Sequence, residues 1–173
     1  MRSAIALVSA LVVLALVTLS IVAKEEQLAN GRLVLLKLAP VDPRSLMQGD
    51  YMALRYRMQD DARAAIRQAA GIAEHGRPGS DGLSIADGHI VATVDGNSVA
   101  SYRRLHDATP LAANEILLRY RVRNGQIRFA TNAFFFEEGT ARRYEPARYG
   151  EFRVAADGEL LLTGLRDAQR RPL

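Results

Sequence analysis

A run of twenty residues, AIALVSALVVLALVTLSIVA at 4–23, carries no charge, no glycine and no proline. No other feature restricts the fold of this chain as much. As a helix rising about 1.5 Å per residue, the run would be roughly 30 Å long, one hydrocarbon core thick. Its apolar residues fall on all sides, so it offers no stripe to a soluble core, and no Gly-xxx-Gly pair marks a helix–helix seam. A cleaved signal peptide has a shorter apolar stretch and a small-x-small cleavage site. Here the run ends Ile21-Val22-Ala23, with a bulky residue where a small one is needed. It therefore reads as an uncleaved anchor. Flanking charge orients it: the amine and Arg2 precede it without an acid, and Lys24-Glu25-Glu26 follows. The positive-inside bias keeps the N-terminus in the cytoplasm and puts residues 24–173 outside, in the periplasm of a Gram-negative host. Residues 1–31 are thus expected to be an inner-membrane anchor with a short juxtamembrane segment, and 32–173 an external domain.

That domain has the composition of a globular protein. Over the whole chain, 49% of residues are hydrophobic and 24% charged. The net charge of +4 comes almost wholly from arginines scattered among acids. A nucleic-acid binder would gather its charge on one face, so none is expected as a partner. The absence of cysteine excludes disulfides, thiol catalysis and thiolate metal sites.

Turn signals punctuate the rest. Asn124-Gly125 separates 116–123 from 126–131, Asp95-Gly96 separates 89–94 from 97–104, and Asp157-Gly158 separates 151–156 from 159–165. Each predicts a tight hairpin with a two-residue turn. Ile116, Leu118, Tyr120 and Val122 alternate with Leu117, Arg119, Arg121 and Arg123, the pattern of a half-buried strand with a wet arginine face that Arg128 extends. A helix is predicted over 60–75, with Ala62, Ala65, Ile66 and Ala69 on one stripe, Asp60 or Asp61 as its cap and Gly76 as its stop. A shorter one is predicted over 140–149. The expected fold class is α+β: an N-terminal transmembrane helix, then a curved, mostly antiparallel β-sheet domain with one or two helices, the first lying against the sheet.

Between the first strand, predicted over 32–38, and that helix lies QGDYMALRY at 48–56. Gly49 permits a turn closed to other residues and Asp50 can accept from nearby amides. The chain should then run extended to Met58. Met52, Leu54, Tyr56 and Met58 share the core side, and Tyr51 takes the other unless a bulge follows the turn. Gly49-Asp50-Tyr51-x-x-Leu54-x-Tyr56 resembles the signature of the GDYXXLXY family of bacterial membrane-anchored proteins. The lead-in Pro40-Val41-Asp42-Pro43-Arg44-Ser45-Leu46 is similar as well, as are Phe135-Phe136-x-Glu138-Gly139 and the stretch from Tyr144-Glu145 through Tyr149-Gly150-Glu151-x-Arg153-Val154. The resemblance implies an anchored topology and carries no activity with it. The candidate functional residues are those of these motifs: Asp42, Arg44, Gly49, Asp50, Tyr51, Leu54, Tyr56, Glu138, Tyr144, Glu145 and Arg153.

No catalytic constellation is visible beside them. Membrane signal peptidases also set a Gly-Asp turn before a strand, but aligning on it puts Val41 at the nucleophile, leaves Ser45 four residues late, and finds no lysine after Lys37. His75, His89 and His106 have no metal-ligand spacing, and the adjacent pairs Asp60-Asp61 and Glu137-Glu138 point apart, so neither a metal nor a cofactor is expected. Phe134-Phe135-Phe136 reads as a strand covered on both faces, or else as an exposed contact patch. The first reading is a non-enzymatic envelope domain that binds another membrane or envelope protein. The alternatives are a hydrolase, or a small-ligand module, with its site near Asp42 to Tyr56.

Overall fold

The computed structural model describes residues 2–39, 47–48, 51–69, 87–123 and 126–173. An unbroken helix α1 (Arg2–Asn30) contains the whole apolar run. Its apolar side chains are exposed all round, and the hydroxyls of Thr18 and Ser20 donate to the Leu14 and Leu16 carbonyls at 2.9 Å each. The backbone and the two hydroxyls therefore satisfy one another inside the helix, as a hydrocarbon medium would require.

α1 does not stop where its apolar run ends. Residues 24–30 add about two turns and dock on the domain. Gln27, 7% exposed, donates through Nε2 to the carbonyls of Arg153 at 3.1 Å and Glu159 at 2.8 Å. Lys24 Nζ donates to the Gln27 side-chain oxygen at 3.0 Å. The Gly31 N–H then donates to the Gln27 carbonyl at 2.9 Å, and Arg153 Nη1 to the Gly31 carbonyl at 3.1 Å. A Cβ on Gly31 would collide with the Gln27 carbonyl, so glycine makes this joint possible.

From Gly31 the chain enters β1 (Arg32–Lys37), in which Val34, Leu35 and Leu36 are all buried. Leu38 follows as a single bridge to Tyr56. β2 (Met47–Gln48) and β3 (Tyr51–Ala53) pair antiparallel, with Gln48 opposite Tyr51 across Gly49-Asp50, which themselves lie outside the described residues. β4 (Gly88–Val94), β5 (Val99–Leu105), β6 (Glu115–Arg123) and β7 (Gln126–Arg128) follow, then β8 (Ala133–Phe135), β9 (Tyr149–Val154) and β10 (Leu160–Arg166). Seven strands form one sheet in the order β10-β9-β1-β5-β4-β6-β7, and β2-β3-β8 form a second. The β1–β5 pair is parallel and the others are antiparallel. The α+β class and the mostly antiparallel sheet are as the sequence implies, except that the domain divides its strands between two sheets.

The large sheet curls until its two halves touch. In the β9–β10 turn the Gly158 carbonyl accepts from the Arg119 N–H of β6 at 2.8 Å. Gly158 has φ +84°, and a Cβ there would sit 3.1 Å from the Leu117 carbonyl oxygen, so only glycine allows this approach. Helix α2 (Arg57–Ala69) packs against β5, β7 and β1, with Met58, Ala62 and Ile66 buried in the core with Val34, Leu36, Leu118 and Phe152.

Several local expectations need correction. The extended run does not reach Met58: α2 begins at Arg57. Tyr56 precedes the helix, its N–H donating at 2.9 Å to Oε1 of Gln59, three residues on, which is the return half of a capping box. Asp60 lies inside the first turn and is not the cap. Burial still alternates as expected, because Met58 points inward from the helix as it would have from a strand. Ala69 is exposed, and residues 70–76, with the predicted stop, lie outside the described residues. The helix expected over 140–149 is one turn, α3 (Ala141–Tyr144), since Tyr149 already pairs in β9. Two hairpins are wider than two residues: Asp95 pairs with Val99 around a left-handed Ser98 (φ 62°), and Ala155 with Glu159 around Gly158. In both, the aspartate serves as an acceptor, Asp95 Oδ1 for the Asn97 and Val99 amides and Asp157 Oδ1 for Glu159. The third turn, Asn124-Gly125, lies outside the described residues, and its second strand ends at Arg128.

Candidate functional site

The motif folds at the end of β1 remote from α1. With about 3.3 Å per strand residue, some 20 Å separate the Gly31 joint from the Leu38–Tyr56 bridge. Tyr56 is fully buried, its ring edge-on to Phe152 at 5.5 Å and its hydroxyl donating to the Thr131 carbonyl at 3.4 Å. Burial holds its phenol well above the usual tyrosine range. Leu54 is buried too, and its N–H donates to the Asn132 carbonyl at 2.7 Å. These two residues tie the motif into the core.

Tyr51 points the other way, as its parity requires. On that side β3 pairs with β8, placing Tyr51 opposite Phe135, with ring centroids 5.9 Å apart. Phe135 is 74% exposed. The triple phenylalanine is therefore covered on one face only. Phe134 and Phe136 turn inward and enclose Tyr144, at 5.0 Å and 5.3 Å, and the Arg143 guanidinium stands 5.7 Å from the Tyr144 ring.

The remaining candidates separate. Glu138 and Glu145 are exposed on the segment leading into and out of α3. Arg153 belongs to the α1 joint, at the opposite end of β1 from the motif. Asp42, Arg44, Gly49 and Asp50 lie outside the described residues, as does Ser45.

The arginine face of β6 is paired. Arg119 and Arg121 reach Glu159 at 3.4 Å and 2.8 Å, and Arg123 reaches Asp87 at 3.0 Å. Asp87 also accepts from the Val122 N–H, and that bond, with Arg123, holds its carboxyl below the usual range. In the C-terminal turn Asp167 accepts from the Arg171 and Gln169 amides, and its carboxyl is lowered too, first by the Arg171 amide.

Two features escape sequence reading. His89 and His106 meet edge-to-face at 6.3 Å, because β4 and β5 pair Ile90 with Leu105. The tight-turn register of Asp95-Gly96 would pair His89 with Tyr102; the wider loop and the register shift between Val91 and Ala92 bring His106 there instead. Among the described residues, no group of three or more potential metal ligands converges, there or elsewhere. The second feature is a cleft of about 310 Å³ beside the motif, between α2 and β7. Its lining includes Leu54, Arg55, Asp60, Arg63 and Arg128, so it is polar and basic, in contrast to the apolar pocket a hydrophobic ligand would need.

A family model described as GDYXXLXY protein matches residues 13–165. No curated protein and no solved structure matches the chain.

Proposed function

The chain belongs to the GDYXXLXY family, and from that premise we propose that it is a single-pass inner-membrane protein whose periplasmic domain acts by contact with another membrane or envelope protein. One observation carries the contact surface. Phe135 stands 74% exposed beside the Tyr51 ring, on a three-stranded sheet remote from the anchor joint. Partner interfaces are enriched in aromatic residues, and Phe135 with the adjoining Tyr51 offers two rings to one. The uncharged apolar run within the continuous α1 and the charge bias around it support the anchor and the cytoplasmic N-terminus. The hydrolase alternative requires Asp42 and Asp50 to converge with Glu138 or Glu145, and nothing in the described site favours it over contact.

Two experiments test this reading. Protease added to spheroplasts should digest residues 24–173, and a carbonate wash should leave the protein in the membrane fraction. Soluble protein with a new N-terminus near Lys24 would show a cleaved leader instead. A photo-crosslinking phenylalanine at position 135 should give one discrete adduct with a membrane or envelope protein in intact cells, while the same probe at exposed Gln169 should not. Equal adduct patterns at both positions would reject the contact surface.

A further inference from the structure

We propose that the cleft between α2 and β7 binds a small organic anion through the guanidinium groups of Arg55 and Arg128. Its volume, about 310 Å³, suits a small carboxylate or phosphate ester and is too little for a peptide segment. Among the described residues lining it, the Arg55 and Arg128 guanidinium groups face one carboxylate, Asp60.

The charge at Arg128 is the informative one. Arg121 and Arg128 sit directly opposite one another across β6 and β7, a like-charge pairing that destabilises a sheet. Arg121 is relieved by Glu159 at 2.8 Å. Among the described residues, Arg128 has no carboxylate partner and donates to the neutral Gln126 side-chain oxygen at 3.4 Å. An oxyanion in the cleft would supply the counter-charge that Arg128 lacks, through charge-assisted hydrogen bonds from its guanidinium. Arg55 pairs with Asp60 at 2.6 Å, but both side chains are more than half exposed, so solvent screens the pair and leaves the guanidinium edge available. A guanidinium presents two parallel donors, the geometry that carboxylates and phosphates share.

The walls are fixed before any ligand arrives. Both ends of the Gln59 amide are engaged, the oxygen by the Tyr56 N–H and the nitrogen by the Ile127 carbonyl at 3.0 Å. The Leu54–Asn132 hydrogen bond holds the opposite side. Little ordering remains for a ligand to supply, which favours binding of something small.

The test is isothermal titration of the full-length protein in detergent micelles, with inorganic phosphate in one arm and citrate in the other, at low and matched ionic strength. Saturable binding of either probe is expected, and the tighter one identifies phosphate or carboxylate as the recognised group. Arg128→Gln should weaken that binding about tenfold or more, the loss of one charge-assisted hydrogen bond. Arg55→Gln should weaken it as well, and as an exposed position it decides the matter if Arg128→Gln fails to fold. Heats that do not saturate with either anion would overturn the proposal, as would affinities unchanged in the folded variants. Phe135→Ser should leave the affinity intact, so this site and the contact surface can fail separately.

Discussion

Gly150→Ala tests whether the motif tyrosine is seated against a surface that tolerates nothing larger than hydrogen. A Cβ at Gly150 would lie 3.0 Å from Tyr56 Cε1 and 3.0 Å from Phe152 Cε2, with Leu162 Cδ1 at 3.4 Å. Both rings are fully buried, so neither can swing into solvent to yield the needed few tenths of an ångström. Overpacking of this kind costs about 1–3 kcal/mol. Against it stands the entropy that alanine removes from the unfolded chain, about 0.4–1 kcal/mol. The net expectation is a destabilisation of about 0.5–2 kcal/mol. Urea unfolding of the full-length protein in a mild detergent, followed by circular dichroism, reads this directly. Phe152→Leu deletes Cε2 and should lower the cost of the alanine by about 0.5–1 kcal/mol, measured as a double-mutant cycle. An alanine variant as stable as the parent, or one whose cost is unchanged in the Phe152→Leu background, would refute the packing argument.

Leu54→Ala should cost about 2–5 kcal/mol in the same assay, because the side chain is buried in the core beside α2. Gln27→Leu leaves two carbonyls without their donor and should cost about 1–3 kcal/mol, with a spin label on the domain reporting wider motion relative to α1. Alkaline pH should act through Tyr56. Its phenol is raised by burial, so the unfolded chain ionises first, and stability should fall as pH rises above about 10. Tyr56→Phe should flatten that limb of the profile. On the acid side the lowered Asp87 and Asp167 act in the opposite sense: their contribution is present above about pH 4 and is lost as pH falls through their folded values. Asp167→Asn should therefore reduce the slope of acid unfolding.

Much of this fold was legible because burial follows periodicity. The all-apolar run, the alternation of Ile116, Leu118 and Tyr120, and the shared side of Met52, Leu54 and Tyr56 all survive in three dimensions. The helix start did not, because alternation continues through Met58 whichever structure Arg57 enters, and the deciding contact is the reach of Gln59 back to Tyr56. Hairpin widths were misread because Asp-Gly suits two-residue turns, whereas here the left-handed residues are Ser98 and Gly158 at the third loop position. The parallel β1–β5 pair joins segments more than sixty residues apart, and no local pattern encodes such a partner. The basic cleft depends on β7 arriving beside α2, which again is a matter of tertiary arrangement. For the motif itself, the sequence identified which residues enter the core, while the exposure of Phe135 depended on which face β8 presents.

The docked end of α1 gives the domain a fixed rotational phase about the long apolar helix. Gln27 is held on two strands, and no flexible linker intervenes between it and the apolar run. Each residue added within 24–26 would then turn the domain by about 100° and lift it by about 1.5 Å, whereas seven would return it to within about 20° of its starting direction. In the proposed anchored topology the face carrying Phe135 would therefore have a compass bearing in the bilayer plane, and a partner with its own membrane helices would meet that face from one side only.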